Sequence, residues 1–205
     1  FSGKTVVQMG TIAPEQSSSL KRRIETLGGE YIEAPVLGSL PEAREGKLIV
    51  MVGASSDRLQ RWAGLLRCFG PDPILIGDVG QAAALKLAMN QLIASLTAAF
   101  GLSLAFVRQS GVPTDRFLGI LRKSALYAPT FDKKLDRMLQ GDYSDPNFPT
   151  RHLAKDVELF LSAAQSLNLG TAGLEGVRRI VEEAAQRGLA DADYSAIYSA
   201  IDPEG

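Results

Sequence analysis

Gly77-Asp78-Val79-Gly80-Gln81-Ala82-Ala83-Ala84-Leu85-Lys86-Leu87-Ala88-Met89-Asn90 opens the longest apolar segment of the chain, and its reading decides the fold. From Ala82 to Val107 there is no proline, a single glycine (Gly101) and a single charge, Lys86, a pattern that predicts a long helix buried on most of its sides. Withdrawing an ammonium from water costs several kcal/mol even after relaxation, so a lysine in such a segment needs a reason. Asn90 follows one turn later on the same face, and the two side chains bring about five hydrogen-bond donors into an apolar wall. Two plainer readings stand beside a functional one. In the first, Lys86 snorkels to the surface along its aliphatic stem or sits in a structural ion pair. In the second, the uncharged run from Leu87 to Val107 spans a bilayer, for which ~20 residues suffice. Against a span stand Asn90, Gln91, Ser95, Thr97 and Ser103, and the lack of flanking basic clusters or an aromatic belt.

Upstream of this segment, strand and helix signals alternate. Lys4–Met9 reads as a strand, Pro14 opens a helix to about Leu27, Gly28-Gly29 closes it, and Glu30–Ala34 is a second strand ending in the loop Pro35–Ser39. Lys47–Val52 is a third strand, Ser56 or Asp57 caps a helix to about Phe69, and Pro73–Ile76 is the last strand. Downstream only helices are predicted: one after Pro113-Thr114-Asp115, then Thr130–Gln140, Thr150–Leu167, Gly173–Arg187 and Asp193–Ile201. The expected fold is therefore α/β followed by all-α, with a boundary near Gly77–Gly80 that separates residues 1–79 from residues 80–205. A helix with so wide an apolar surface needs several neighbours. A second copy of the chain is the simplest supplier, so a homodimer is expected, with contacts inside the chain as the alternative.

A chain of 205 residues with 45% hydrophobic content can bury a sizeable core, and a net charge of −1 with both signs interspersed leaves no footprint for nucleic acid or an anionic membrane. A small molecule is the expected partner. The one cysteine, Cys68, excludes a disulfide framework and a cysteine zinc cluster and suits a reducing, cytoplasmic setting. The one histidine, His152, has no companion nucleophile for a triad, and the carboxylates have no metal-binding or glycosidase spacing, so no metal is expected.

Three clusters remain as places for chemistry. One is Lys86 with Asn90. Another is the Pro35–Ser39 loop, where Gly38 lets the backbone approach a ligand and the N–H groups can cradle an anion, although an ordinary strand-end turn has the same composition. The third is Phe148–Leu159, with Lys155-Asp156 on an amphipathic helix, a pattern that a solvated face also gives. By elimination, Lys86 is the acid/base candidate: an ammonium can deliver a proton to an oxygen while its charge stabilises the negative charge developing there, and one withdrawn from water releases its proton more readily.

Taken together, Gly10-Thr11-Ile12-Ala13-Pro14, Glu33-Ala34-Pro35-Val36-Leu37-Gly38-Ser39, Gly46-Lys47-Leu48, the Gly80–Lys86–Asn90 segment and Phe148 through Lys155-Asp156 resemble the β-hydroxyacid dehydrogenases, in order and over essentially the whole chain. The resemblance implies an NAD(P)-dependent hydroxyacid dehydrogenase or semialdehyde reductase with a Rossmann-type cofactor domain and a helical substrate and dimerisation domain. It implies Lys86 as the catalytic proton donor and acceptor, and Asn90, Gly38 and Ser39 as substrate-binding positions. Thr11 and Lys155 would contact the cofactor, NADP or NAD, with NADP slightly preferred and no metal. The partner implied is a small carboxylate-bearing aldehyde or hydroxy acid, and the helical halves are expected to pair into a homodimer or higher homo-oligomer.

Two departures qualify this. Leu37 stands where many relatives carry a carboxylate-binding serine. The Gly-x-Gly-x-x-Gly turn that seats a dinucleotide pyrophosphate is not in the sequence, and is expected upstream of Phe1, so that residues 1–79 would be only the later part of the cofactor domain. Glu33-Ala34-Pro35 followed by Gly38-Ser39, with Phe148-Pro149, looks more like the glyoxylate/succinic semialdehyde reductases than the Asp-Ala-Pro hydroxyisobutyrate enzymes. The competing readings are a non-catalytic dimerising scaffold or binding module of the same family and, more remotely, an imine reductase.

Overall fold

The computed structural model describes residues 1–203. The chain packs as two compact units, Phe1–Asn90 with Leu159–Leu169, and Gln91–Glu158 with the residues from Gly170 onward.

In the first unit β1 (Thr5–Gln8) lies parallel to β2 (Glu30–Glu33), and α1 (Pro14–Thr26) connects them. Proline suits the first turn of α1 because its missing N–H had no helical partner to lose. Gly28, at φ 75, ends α1 in a conformation that a side chain would resist. Side chains alternate across β2: buried Tyr31 reaches α1, where its hydroxyl meets Ser17 Oγ at 2.9 Å. Ile32 belongs to the opposite core with Val50, Val52 and Leu66, against which Leu59 and Trp62 of α3 (Ser56–Leu66) pack. The cap of α3 is Ser55, where Ser56 or Asp57 was expected; its Oγ accepts from the Arg58 N–H at 3.4 Å.

The Pro35–Ser39 stretch is more ordered than the expected loop. Val36–Leu37 form β3, and Leu40–Arg44 form a short helix, α2, that the sequence pattern does not announce. β3 prolongs β2 and pairs antiparallel with β4 (Ile49–Gly53), while β5 (Ile74–Gly77) runs parallel to β4. The sheet is therefore mixed. Glu33 faces Gly53, and Gly53 faces Gly77, so three strand ends converge on one row.

α4 (Gln81–Gln109) is 29 residues long and contributes its first ten residues, Gln81–Asn90, to this unit and the rest to the second. By length and mean hydropathy, 1.5 in its most apolar window, it is able to cross a membrane. Here Leu87, Ala94, Ala98, Phe100, Leu104 and Ala105 are buried in protein, which is the behaviour of a core helix.

The second unit is helical. Phe100 and Leu104 of α4 pack with Leu118 of α5 (Thr114–Leu121), with Phe131, Leu135 and Met138 of α6 (Pro129–Gln140), and with Tyr198 of α9 (Tyr198–Ile201). The rings of Phe100 and Phe131 stack at 4.7 Å. Gly101, the lone glycine of α4, is small for a reason: a Cβ there would stand 3.1 Å from Ile201 Cδ1 and 3.3 Å from Tyr198 Cδ2. α7 (Thr150–Ser166) and α8 (Ala172–Ala184) follow, and α8 passes into a wider π turn, Ala185–Leu189, that breaks at Gly188, where φ is 85. Asp193 then caps the 3₁₀ turn Tyr194–Ile197. Its carboxylate is also the partner of a buried lysine, Lys134, whose Nζ lies 2.8 Å from both oxygens and 4.3 Å above the Tyr194 ring.

Candidate functional site

Five of the six residues singled out from the sequence lie in the first unit: Thr11, Gly38, Ser39, Lys86 and Asn90. Lys86 is only 9% exposed and Asn90 2%, so the ammonium and the amide sit one turn apart on the buried side of α4. That burial removes the reading of Lys86 as a snorkelling surface lysine.

The start of α4 is held by a residue the sequence marked only as part of a motif. Neither Gly80, the residue before the helix, nor Ala83, in its first turn, has a side chain able to cap it. Both of their N–H groups are taken by the Glu33 carboxylate, at 2.9 Å to Oε2 and 2.8 Å to Oε1. This does from a distant strand what a capping box does locally, and it puts a negative charge where the helix dipole favours one. Glu33 is 1% exposed. Gly53 makes room for it, since a Cβ at Gly53 would come within 2.6 Å of Glu33 Oε1.

Three residues after β2 ends, the chain is at Val36, and at Gly38 it turns with φ 131, a conformation that favours glycine; a Cβ there would also meet Leu48 Cδ2 at 2.7 Å. Gly38 is exposed and Ser39 partly so, which leaves this backbone open to a ligand. The Ser39 N–H, however, donates to Glu42 Oε2 at 2.8 Å. A carboxylate from the chain itself thus occupies one of the donors expected to receive a substrate carboxylate.

Thr11 is half-buried in the turn after β1, at the carboxyl end of a parallel pair of strands, the rim on which open α/β sheets bind ligands. Its place fits one end of a dinucleotide. The glycine-rich turn for the pyrophosphate is not in the sequence, so the residues present fit the cofactor only in part. Lys155 lies in the second unit, on α7, where its exposed ammonium pairs with the buried carboxylate of Asp156 at 2.9 Å. The charged pair is therefore more than a solvated face. Among the described residues no three His, Cys, Asp or Glu side chains gather as metal ligands do.

A cleft of about 570 Å³ in the first unit is lined by Lys21, Glu25, Ser55, Arg58 and Asp78 among others, and by none of the candidate residues. Its two cations are both committed to Glu25, at 2.7 Å and 2.8 Å, so it offers an internal ion-pair shelf in place of a receptor for an anion.

Residues 1–77 match the family described as the NAD binding domain of 6-phosphogluconate dehydrogenase, and residues 80–201 that described as NAD-binding of NADP-dependent 3-hydroxyisobutyrate dehydrogenase. The chain is 28% identical over 200 residues to glyoxylate/succinic semialdehyde reductase 2, chloroplastic, of Arabidopsis thaliana, an alignment covering 98% of this chain and 56% of that protein. It is 27% identical over 198 residues to the cytokine-like nuclear factor N-PAC of Xenopus tropicalis, covering 97% of this chain and 37% of that one. The chain thus spans little more than half of the reductase and less of the nuclear factor. A 3-hydroxyisobutyrate dehydrogenase from Salmonella typhimurium superposes with a TM-score of 0.85 at 21% identity, over 95% of this chain and 68% of the other. The fold is the one anticipated: a Rossmann-type region followed by a helical domain.

Proposed function

Because the chain belongs to the β-hydroxyacid dehydrogenase family, we propose that the protein is an NAD(P)-dependent oxidoreductase that reduces a small aldehyde acid, of the glyoxylate or succinic semialdehyde kind, to its hydroxy acid. The observation that carries this reading is the burial of Lys86 beside Asn90 on a helix whose start is anchored by Glu33. A bound nicotinamide supplies the hydride to the carbonyl carbon. Lys86 gives its proton to the carbonyl oxygen as that atom gains charge, and takes the proton back when the hydroxy acid is oxidised. Asn90 hydrogen-bonds the substrate beside it. The substrate carboxylate sits at the Gly38–Ser39 turn, where it competes with Glu42 for the Ser39 N–H. With Leu37 in place of a hydroxyl side chain, backbone donors carry more of that binding. Thr11 and Lys155 contact the cofactor, with NADP preferred.

The proposal includes a homodimer. Leu92, Leu102 and Phe106 leave 47%, 63% and 70% of their surface exposed along one side of α4, a stripe that a second copy would cover. A second reading, a non-catalytic scaffold, draws on the likeness to the nuclear factor. Against it stands the placing of a buried ammonium one turn from an amide on an anchored helix start, an arrangement suited to delivering a proton to a substrate oxygen.

The test is turnover of glyoxylate, succinic semialdehyde and methylmalonate semialdehyde by the full-length polypeptide with NADPH and with NADH. Reduction of at least one, faster with NADPH, is expected. No turnover together with no dinucleotide binding would sink the enzyme reading and leave the scaffold.

A further inference from the structure

We infer that Glu33 is a positioning residue for the reaction, the side chain that sets where the proton donor stands relative to the substrate loop. This rests on the reading of Lys86 as that donor. Three observations converge on it. Its carboxylate is buried and divided between the N–H groups of Gly80 and Ala83, so both oxygens are committed to the first turn of α4. Lys86 and Asn90 follow Ala83 by three and seven residues, which stacks them over the anchored turn on the same side of the helix. And Glu33 is the last residue of β2, from which the chain runs directly through β3 to Gly38 and Ser39.

One side chain therefore ties the helix that bears the donor to the strand that bears the carboxylate-binding turn. Backbone hydrogen bonds to an ionised carboxylate are short and strong, and a helix gripped through two of its orphan amides can neither slide along its axis nor rotate about it without breaking both. The fit is enforced from the other side by Gly53, where any Cβ would press on Oε1. A glutamine at position 33 offers one acceptor and sets an N–H₂ group against an amide donor, leaving that buried donor unsatisfied.

Three substitutions in the full-length protein test this: Glu33→Gln, Glu33→Asp and Gly53→Ala, the last disturbing the same contact with the carboxylate intact. In Glu33→Gln and Gly53→Ala the amides of Gly80 and Ala83 are expected to exchange with solvent about tenfold faster or more, as for the loss of a hydrogen bond to a charged group. The kcat is expected to fall about tenfold with NADPH affinity unchanged, with a higher KM for the aldehyde acid and a larger solvent deuterium isotope effect on kcat, because a misplaced donor slows proton delivery. Glu33→Asp keeps the charge and recovers part of the loss. In a Lys86→Met background, Glu33→Gln should take nothing further from kcat, since residues that act as a unit are not additive.

Wild-type exchange rates at Gly80 and Ala83, or an undiminished Glu33→Gln effect on kcat without Lys86, would each overturn the proposal and reduce Glu33 to a folding residue. If Glu33→Gln does not fold, Gly53→Ala and Glu33→Asp decide by the same readouts. If Lys86→Met turns over as the wild type does, the donor reading falls and takes this proposal with it. If Lys86→Met is inactive while Glu33→Gln is unimpaired, this proposal alone falls.

Discussion

Among the described residues two lysines are buried, and they lead different lives. Lys134, 6% exposed on α6, is answered by a carboxylate that is fully buried, by an aromatic face and, through Asp193, by the Ser195 hydroxyl and N–H. Both oxygens of the buried Asp193 carboxylate are spent on its ammonium, which marks it as a structural cation. Lys86 lies on the apolar opening of α4, beside an amide, above a helix start that is itself gripped by an anion. Burial alone therefore does not mark a functional lysine. What separates the two is the setting each is built into: a buried carboxylate and an aromatic ring around Lys134, an asparagine one turn away on an anchored helix start for Lys86.

The sharpest test of that contrast swaps the two side chains for methionine in turn. Lys86→Met should lower kcat by about 10²–10⁴-fold, the usual yield of a positioned proton donor, while urea unfolding and oligomeric state stay close to wild type. Lys134→Met should do the reverse, leaving turnover per folded molecule intact. A variant at 134 that loses activity without losing stability would dissolve the distinction.

Next in size is the carboxylate side of the structural pair. Asp193→Asn leaves the Lys134 ammonium buried without its counter-charge, and breaking such a pair from one side destabilises by about 3–5 kcal/mol. The double variant Lys134→Met with Asp193→Asn should be more stable than Asp193→Asn alone, since it removes the stranded charge and keeps an oxygen to cap Ser195. Urea midpoints of the three proteins measure this.

The same contrast explains what was legible beforehand. Lys86 announces itself because the run Ala82–Val107 has no other charge. Lys134 is invisible beside Lys133 in Asp132-Lys133-Lys134-Leu135-Asp136, and its partner lies 59 residues on. Glu33 was equally hidden: the amides it caps lie 47 and 50 residues away along the chain. The alternation of strands and helices gave the two fold classes, since it depends on local periodicity. The mixed sheet did not follow from it, because β3 has two residues, too few for a period, and the direction of β4 is set by pairing with a distant strand. Gly38 was legible as a place of close backbone approach, whereas the capture of the Ser39 N–H by Glu42 needed coordinates.

That turn gives a smaller, separable effect. Gly38→Ala forces a side chain into φ 131 and against Leu48, a strain of about 1–3 kcal/mol. If the turn binds the substrate carboxylate, KM for the aldehyde acid should rise more than kcat falls. Trimming Leu48 to alanine as well relieves the clash but leaves the backbone strained, so recovery of KM should be incomplete.

The smallest effect concerns acid. Burial by itself would raise the Asp193 carboxyl, but the Lys134 ammonium and the Ser195 hydroxyl and N–H outweigh it and hold it below the ordinary aspartate value. A carboxyl whose folded pKa is depressed contributes stability that is fully present above its unfolded pKa, about 3.9, and is lost as pH falls through the folded value. Lys134 stays protonated over that range, since burial lowers its pKa from a starting point far above it. Unfolding free energies measured from pH 6 downward should therefore drop more steeply for the wild type than for Asp193→Asn, with the two curves converging at the acid end. Parallel curves would mean that Asp193 is not ionised in the folded protein, and the account of Lys134 as a neutralised structural cation would have to be abandoned.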